Sequence, residues 1–291
     1  MSPALDQRQI AGRSVAPIGF GAMLLGMEGR PDEATALRVI HAALDDGCTV
    51  IDTAINYGAN AAELGFCEAL VARALATWSG NRNDVLVVCK GGNLRTDELL
   101  YVPDGSPANL RRSCETSLRA LGREVIDLYC LHSIDPQVPL VESMGALARL
   151  KEEGKIRHVG ISNAGRRQIS EARTVVEIAA VENRLSPWSV NSLPIVELCE
   201  AQDIAYLAYS PLGSQSLVGR LGEKPGFAEV ARRRRVSVQQ VAIAWALALS
   251  PAIIPIPSAR RIETLRDSLG AAGLILTREE MQLLQPDLTT D

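Results

Sequence analysis

Several features that mark other protein classes are missing from this sequence of 291 residues. No apolar run is long enough to cross a bilayer, which argues against a membrane-spanning protein, and residues 1–10 are too polar and acidic for a signal peptide. No stretch rich in Pro, Gly or Ser and no low-complexity tract marks a second domain. We therefore expect one cytoplasmic domain over residues 1–291, without membrane contact.

Cysteine pairs and histidine clusters are missing too. The six cysteines never form a C-x-x-C pair and often lie in apolar runs, which is typical of reduced, buried thiols. Only three histidines are present and they are dispersed, so a histidine-rich metal site of the amidohydrolase kind is not expected. The sequence predicts no metal site.

Positive charge is in slight deficit. The formal net charge of -4 gives no overall attraction to the phosphates of nucleic acid or to anionic lipid. The four arginines at 232–235 would wrap around a helix instead of forming one basic face, which is typical of a solvated helix end. A small-molecule partner is therefore expected, and the sequence leaves the oligomeric state open.

Short apolar, β-branched runs alternate along the chain with longer stretches of helical spacing. A helix is predicted from Asp32, a residue type that caps helix N-termini, to the stop at Gly47. Eight runs have strand character: 17–22, 49–54, 85–89, 126–131, 156–161, 178–181, 204–209 and 252–256. Eight βα repeats predict an α/β fold, a single (β/α)8 TIM barrel. Two short β-like runs around Gly12 predict an N-terminal β-hairpin at the bottom of the barrel.

The carboxyl ends of three consecutive predicted strands carry ionisable residues. Asp52 ends the second strand and Tyr57 follows it, Lys90 ends the third strand, and His132 follows the fourth. Because reactive groups of TIM barrels lie at this end, we expect all four to face one mouth. A phenol has a pKa near ~10, so a Lys90 ammonium held by Asp52 would ease proton donation by Tyr57. With His132 bonded to a carbonyl oxygen, the set predicts polarisation of a C=O group for hydride attack.

The motifs around these residues resemble the aldo-keto reductase superfamily. DTAINY from Asp52 to Tyr57, VCKGG around Lys90 and LYCLHS around His132 occur in the family's order, and the resemblance spans nearly the whole chain. It implies an NADPH-dependent reductase of aldehydes or ketones in which these four residues form the catalytic tetrad. Tyr57 would be the general acid, Lys90 and Asp52 its tuning pair, and His132 the group that orients the substrate.

The same resemblance implies a nicotinamide cofactor at later strand ends. The matching positions are Ser162, Asn163 and Glu182 for the carboxamide, Tyr209, Ser210, Pro211, Leu212 and Gly213 for ring stacking and the pyrophosphate, and Ser258, Arg260 and Ser268 for the adenosine end. A guanidinium at Arg260 can hold a phosphate dianion, which favours NADP(H), with NAD(H) less favoured. Two positions depart from the family: Glu182 replaces the usual glutamine, which can donate a hydrogen bond, and Pro257 replaces a frequent lysine.

Three apolar residues are candidates for the walls of a substrate mouth. Met23 and Leu24 follow the first strand and Trp188 follows the sixth, although packing in the core is about as good an interpretation of each. The glycine-rich segment 19–26 is not interpreted as a dinucleotide-binding loop, because its spacing is wrong and no helix is predicted before Pro31.

The substrate and the functional class leave alternatives. The segments KGGN, VPDGSP and RRSCETSLRALG resemble a bacterial branch that includes pyridoxal reductase-like enzymes, so pyridoxal is a candidate substrate. The competing hypotheses are a non-catalytic nicotinamide-binding regulatory subunit of the same fold and a barrel hydrolase that needs no nicotinamide.

Overall fold

Eight parallel strands form a barrel surrounded by helices in the computed structural model, which describes residues 7–96 and 101–289. With two antiparallel hairpins outside the barrel, the strands are β1 (Arg8–Ile10), β2 (Arg13–Val15), β3 (Phe20–Gly21), β4 (Val50–Asp52), β5 (Leu86–Gly91), β6 (Asn93–Arg95), β7 (Tyr101–Pro103), β8 (Ile126–Leu131), β9 (Ile156–Ser162), β10 (Ile178–Arg184), β11 (Ala205–Tyr209) and β12 (Ile253–Pro255). The barrel runs through β3, β4, β5, β8, β9, β10, β11 and β12 in that spatial order. The predicted (β/α)8 barrel and the N-terminal hairpin, β1–β2, are confirmed.

The barrel closes between its first and last strands. The Gly19 amide donates to the Pro255 carbonyl at 2.9 Å, and the Gly21 amide donates to the Pro257 carbonyl at 3.0 Å. A Cβ added at Gly21 would lie 2.7 Å from Ser258 Oγ, which is closer than these atoms can pack. The lack of a side chain at position 21 therefore lets the two strands meet.

The helices alternate with the barrel strands. In the described part of the chain they are α1 (Met23–Gly26), α2 (Glu33–Asp45), α3 (Phe66–Thr77), α4 (Pro107–Leu121), α5 (Leu140–Glu152), α6 (Arg166–Arg173), α7 (Leu193–Ala201), α8 (Pro225–Arg234), α9 (Val238–Leu249), α10 (Ile262–Gly270) and α11 (Arg278–Leu284). Helix α2 begins where the sequence predicts, since the Asp32 carboxylate accepts a hydrogen bond from the Thr35 amide at 2.8 Å. Gly47, with a φ of 94°, follows its end.

Alternate residues of the barrel strands point into the barrel. They form an apolar plug, closed at the bottom by Ile10 and Val15 of the hairpin and otherwise made of Val50, Leu86, Val88, Leu128, Cys130, Ala179, Ala180, Ala205, Leu207, Ile254 and Ile256. One inward step further toward the carboxyl ends lie Asp52, Lys90 and Glu182, which we call the polar layer. The candidate chemistry thus rests on a filled apolar core.

Two elements differ from the sequence-based expectation. The prediction that no helix begins before Pro31 is wrong, because α1 forms one turn directly after β3; a single turn is too short to show a helical period. The hairpin β6–β7 was not predicted. Arg95 and Tyr101 of this hairpin are joined by a hydrogen bond of 2.7 Å, and the Tyr101 hydroxyl donates to Met27 Sδ at 3.3 Å. The hairpin therefore reaches from the third barrel strand to the segment after the first.

The arginine run lies at the surface as a helix end. Arg232 and Arg233 pair with Glu229, and Arg234 pairs with Glu280 of α11.

Across residues 7–96 and 101–289, none of the helices combines the length and the apolar character needed to span a membrane.

Candidate active site

Lys90 lies at the centre of the polar layer. Its Nζ donates to Asp52 Oδ2 at 2.5 Å and to the Thr53 carbonyl at 3.1 Å, and it lies 3.3 Å from Glu182 Oε1. The three ionisable residues are each at most 3% exposed. Lys90 comes from β5 and Glu182 from β10, which are not neighbours in the sheet, so their contact crosses the barrel interior.

The buried ammonium and the two carboxyl groups change each other's pKa. Burial alone would lower the pKa of Lys90, but the Asp52 and Glu182 carboxylates raise it well above its usual value. Burial raises the pKa of Asp52, against the opposing effect of Lys90. Burial and the charge of Asp52 raise the pKa of Glu182 to about 8. The polar layer therefore presents one fixed positive charge to two carboxyl groups.

Tyr57 lies on a tight turn after β4. Its amide donates to the Ala54 carbonyl at 3.1 Å, and a Cβ at Gly26 would lie 2.3 Å from the Tyr57 carbonyl oxygen, so α1 packs directly on this turn. Lys90 Nζ lies 5.1 Å from the centre of the Tyr57 ring. Burial raises the pKa of Tyr57 and the Lys90 charge opposes that rise. The phenol keeps its proton at neutral pH beside a cation that would stabilise the phenolate.

His132 completes the predicted group. Its ring meets the Tyr57 ring edge to face, with the two centres 5.9 Å apart. Its Nδ1 is buried and has no hydrogen-bond partner, and burial together with the Lys90 charge lowers the pKa of His132 to about 3. The imidazole is therefore neutral and has one N–H to donate. The structure brings Asp52, Tyr57, Lys90 and His132 together at the carboxyl end of the barrel.

Residues from β9 to β11 form a hydrogen-bond network beside His132. The Ser162 hydroxyl donates to the Glu182 carbonyl at 2.7 Å, and the Asn163 amide group donates to the His132 carbonyl at 2.9 Å. The Tyr209 hydroxyl donates to Asn163 Oδ1 at 2.7 Å. These residues are therefore fixed against one another before any ligand binds.

The segment after β11 makes a sharp turn. Ser210 has a φ of 49°, and the Gly213 amide donates to its carbonyl at 2.9 Å, with residues 211–212 between them. Gly213 packs against Trp188, whose ring centre lies 4.0 Å from Lys224 Nζ. Trp188 therefore supports this turn, and the ammonium covers its ring. The other two residues predicted to line a substrate mouth, Met23 and Leu24, are neighbours in α1 and are partly exposed.

The three residues predicted to bind the adenosine end of the cofactor differ in their exposure to solvent. Arg260 is partly exposed and donates long hydrogen bonds to the carbonyls of Leu24 and Glu28, at 3.4 and 3.3 Å. Ser258 is also partly exposed, whereas Ser268 lies in α10 and is only 2% exposed. Ser258 and Arg260 are thus open to a ligand and Ser268 is enclosed.

Two polar groups near the predicted residues were missed. The Thr53 carbonyl accepts a hydrogen bond from Lys90, and backbone atoms carry no signal in a sequence pattern. Asn93 of β6 donates to Ser133, directly after His132, at 3.0 Å, and its buried Oδ1 has no partner. Strand β6, which contains Asn93, is only three residues long, too short for an alternation of apolar and polar residues to reveal it in the sequence.

Comparison with known proteins decides the family. The model described as "Aldo/keto reductase family" matches residues 17–286. The chain belongs to the aldo/keto reductase family. An uncharacterised oxidoreductase of Schizosaccharomyces pombe, C215.11c, is 33% identical over 268 residues, which cover 90% of this chain and 83% of that protein.

Solved aldo/keto reductases have the same architecture as this chain. The glycerol dehydrogenase AKR11B4 from Gluconobacter oxydans superposes with a TM-score of 0.83 at 29% identity, covering 98% of this chain and 95% of that one. An aldo/keto reductase from Klebsiella pneumoniae, solved with NADP and acetate, has a TM-score of 0.83 at 25% identity, covering 98% and 96%. The resemblance inferred from the sequence motifs is therefore confirmed.

This aldo/keto reductase is an oxidoreductase, as its family is. In the part of the chain that the structure describes, no group of three His, Cys, Asp or Glu residues is placed to hold a metal ion.

Proposed function

We propose that this protein reduces an aldehyde or ketone to an alcohol, with Tyr57 as the general acid. The observation that carries the proposal is the arrangement of Tyr57, Lys90 and His132 at one end of the barrel. A bound NADPH would supply the hydride. The neutral His132 N–H would orient the carbonyl oxygen, and Tyr57 would give its proton to the alkoxide. The Lys90 ammonium would then stabilise the phenolate that remains.

The residues at the later strand ends fit a nicotinamide. Glu182 Oε2 is buried without a hydrogen-bond partner, so an amide group of a ligand could satisfy it, and the Glu182 main-chain carbonyl is bonded to Ser162 and Asn163. Tyr209 is held by Asn163 and offers a ring for stacking against a flat ligand. The turn from Ser210 to Gly213 would follow the pyrophosphate.

Arg260 supports NADPH in preference to NADH. Its guanidinium donates only long hydrogen bonds, of 3.3 to 3.4 Å, to backbone carbonyls, and a phosphate dianion would be a stronger acceptor. The Klebsiella pneumoniae relative solved with NADP has the same fold. Ser258 would also contact this phosphate. The enclosed Ser268 would not contact it, and would instead stabilise the segment that carries Ser258 and Arg260.

The substrate would enter beside α1. Met23 and Leu24 are partly exposed in a helix that packs on the Tyr57 turn, so they would contact an apolar part of a substrate held by Tyr57 and His132. Pyridoxal, an aromatic aldehyde, is the specific candidate to test first. The Trp188 ring packs against Gly213, so it would affect the site indirectly, by stabilising the turn from Ser210 to Gly213.

The test compares the wild-type protein with Tyr57→Phe and Tyr129→Phe. NADPH oxidation is measured with a panel of aldehydes and ketones that includes pyridoxal, and the quenching of tryptophan fluorescence gives the affinities for NADPH and NADH. We expect Tyr57→Phe to lower turnover by roughly 10²–10⁴-fold while cofactor affinity changes little. Tyr129→Phe is the matched control, since its buried hydroxyl has no hydrogen-bond partner and lies on β8 outside the apolar plug.

Two results would reject the proposal. Unchanged turnover in Tyr57→Phe would remove the general acid from the mechanism. Tight NADPH binding without oxidation by any carbonyl compound of the panel would instead favour a non-catalytic nicotinamide-binding subunit. Equal affinity for NADPH and NADH would contradict only the proposed role of Arg260 and would leave the reductase proposal standing.

A further inference from the structure

The polar layer contains more carboxyl groups than cations. Lys90 Nζ contacts both Asp52 and Glu182, and all three side chains are almost completely buried. If both carboxyl groups were ionised, the barrel interior would hold a net negative charge, which is costly where water cannot reach it. Uptake of one proton by the pair removes this cost.

Geometry indicates which carboxyl group takes the proton. Asp52 Oδ2 lies 2.5 Å from Lys90 Nζ, whereas Glu182 Oε1 lies 3.3 Å away, so Asp52 is the closer counter-ion. Glu182 Oε2 is buried and accepts no hydrogen bond. An ionised oxygen there would be unsatisfied, but a protonated one can donate a hydrogen bond, and Asp52, which contacts the same Lys90 ammonium, is the candidate acceptor.

The other groups that face Glu182 do not supply a second cation. The Asp52 charge raises the pKa of Glu182, and the charge of Glu182 in turn raises the pKa of Tyr57. Burial raises the pKa of the Cys130 thiol, which keeps it neutral. His132 is neutral as well. Lys90 is therefore the cation that both carboxyl groups share.

We infer that Glu182 is a positioning residue that carries a proton at neutral pH and loses it to solvent in mildly alkaline solution. As an acid it can donate one hydrogen bond and accept another, as an amide side chain does. Ionisation removes the donor and adds a negative charge to the polar layer.

A consequence for the cofactor follows, and it rests on the proposed function. The oxidised nicotinamide ring is a cation and the reduced ring is neutral, so an ionised Glu182 beside the ring favours the oxidised form. Two unit charges about 6–8 Å apart at an effective dielectric constant of about 20 interact strongly enough to change the ratio of affinities roughly thirty- to hundredfold on complete ionisation. The balance between reduction and oxidation would thus respond to pH through Glu182.

The first experiment tests the proton alone, in the protein without cofactor. Infrared difference spectra between about pH 6 and about pH 10 report the C=O stretch of protonated carboxyl groups. The wild-type protein should lose two such components as the pH rises, one near the Glu68 pKa of about 7 and one near the Glu182 pKa of about 8, and Glu182→Gln should lack the second. Glu68→Gln is the matched control, because Glu68 is a buried carboxyl group outside the barrel interior and should leave the Glu182 band in place.

Asp52→Asn tests the charge count directly. In this variant Glu182 becomes the counter-ion of Lys90, so its acid band should already be missing at neutral pH. An unchanged band in Asp52→Asn, or the same difference spectrum in Glu182→Gln as in the wild type, would overturn the inference. Circular dichroism of each variant establishes that it is folded.

The second experiment measures the binding of NADPH and NADP⁺ by fluorescence quenching at about pH 6.5 and about pH 9.5. In the wild type and in Glu68→Gln, the preference for the oxidised form should rise more than about tenfold with pH. In Glu182→Gln it should stay constant. A constant preference in the wild type would overturn the effect on the cofactor. If neither nucleotide bound, the proposed function would fail while the infrared result would still decide the state of Glu182.

Discussion

Replacing Lys90 with methionine should destabilise the fold in a pH-dependent manner. Lys90 is fully buried, so water cannot replace its ammonium, and Asp52 must then enter the folded state as a neutral acid. Protonating a carboxyl group with a pKa of ~3.9 at pH ~7 costs about 4 kcal/mol, which is the largest loss expected in the free energy of unfolding, because burial already raises the pKa of Asp52 in the wild type. Without Lys90, which opposes the effect of burial, the folded-state pKa of Asp52 rises further above its unfolded value. The penalty therefore appears only above the unfolded pKa and grows by about 1.4 kcal/mol per pH unit.

Urea unfolding at pH values of about 5, 6 and 7, followed by circular dichroism, measures this loss. Lys155→Met is the matched control, because Lys155 also bridges two carboxylates, Glu115 at 2.8 Å and Glu153 at 3.0 Å, but at the surface. Its loss should be below about 1 kcal/mol and nearly independent of pH. Equal losses in the two variants, or a Lys90→Met loss that does not change with pH, would refute the reasoning.

Two further predictions concern stability. Burial raises the pKa of Glu68 to about 7, so the wild-type protein should lose stability as the pH rises from the unfolded value of ~4.3 to that point. Glu68→Gln should remove roughly 2–4 kcal/mol of this fall in urea unfolding curves, and a slope equal to that of the wild type would contradict it. Gly21→Ala should lower the unfolding free energy by roughly 1–3 kcal/mol, because its Cβ would collide with Ser258 where the barrel closes. Urea unfolding curves measure this loss, and the control Gly145→Ala in α5, whose Cβ would meet only Arg149 at 3.6 Å, should be neutral or stabilising.

The barrel could be predicted because its signals are local and repeated. Each of the eight predicted runs overlaps a barrel strand, and the shortest observed one, β3, lies inside the predicted run 17–22. Strand periodicity is visible over four to eight residues, so strand ends, and with them Asp52, Lys90 and His132, could be located approximately. Because the strands of such a barrel are parallel, their carboxyl ends lie on the same side, so these residues could be assigned to one end of the barrel without coordinates.

The remaining features depend on contacts between distant parts of the chain. Glu182 was assigned beside a cofactor, and its contact with Lys90 was missed because no local pattern shows which strands face each other across a barrel. The helix turn at Met23 and the hairpin containing Asn93 are too short for a period to emerge. The roles of the individual site residues stay predictions until the variants are measured.

The apolar plug has a consequence for the exchange of protons. Val50, Val88, Cys130 and Leu207 fill the barrel beneath the polar layer, so no chain of water molecules can reach Lys90 or Glu182 from below. Every proton that these groups gain or lose must pass through the open end, past Tyr57 and His132. A ligand that covers this end would therefore block proton exchange between these groups and the solvent. The polar layer would keep the protonation state that it had when the ligand bound, until the ligand dissociates.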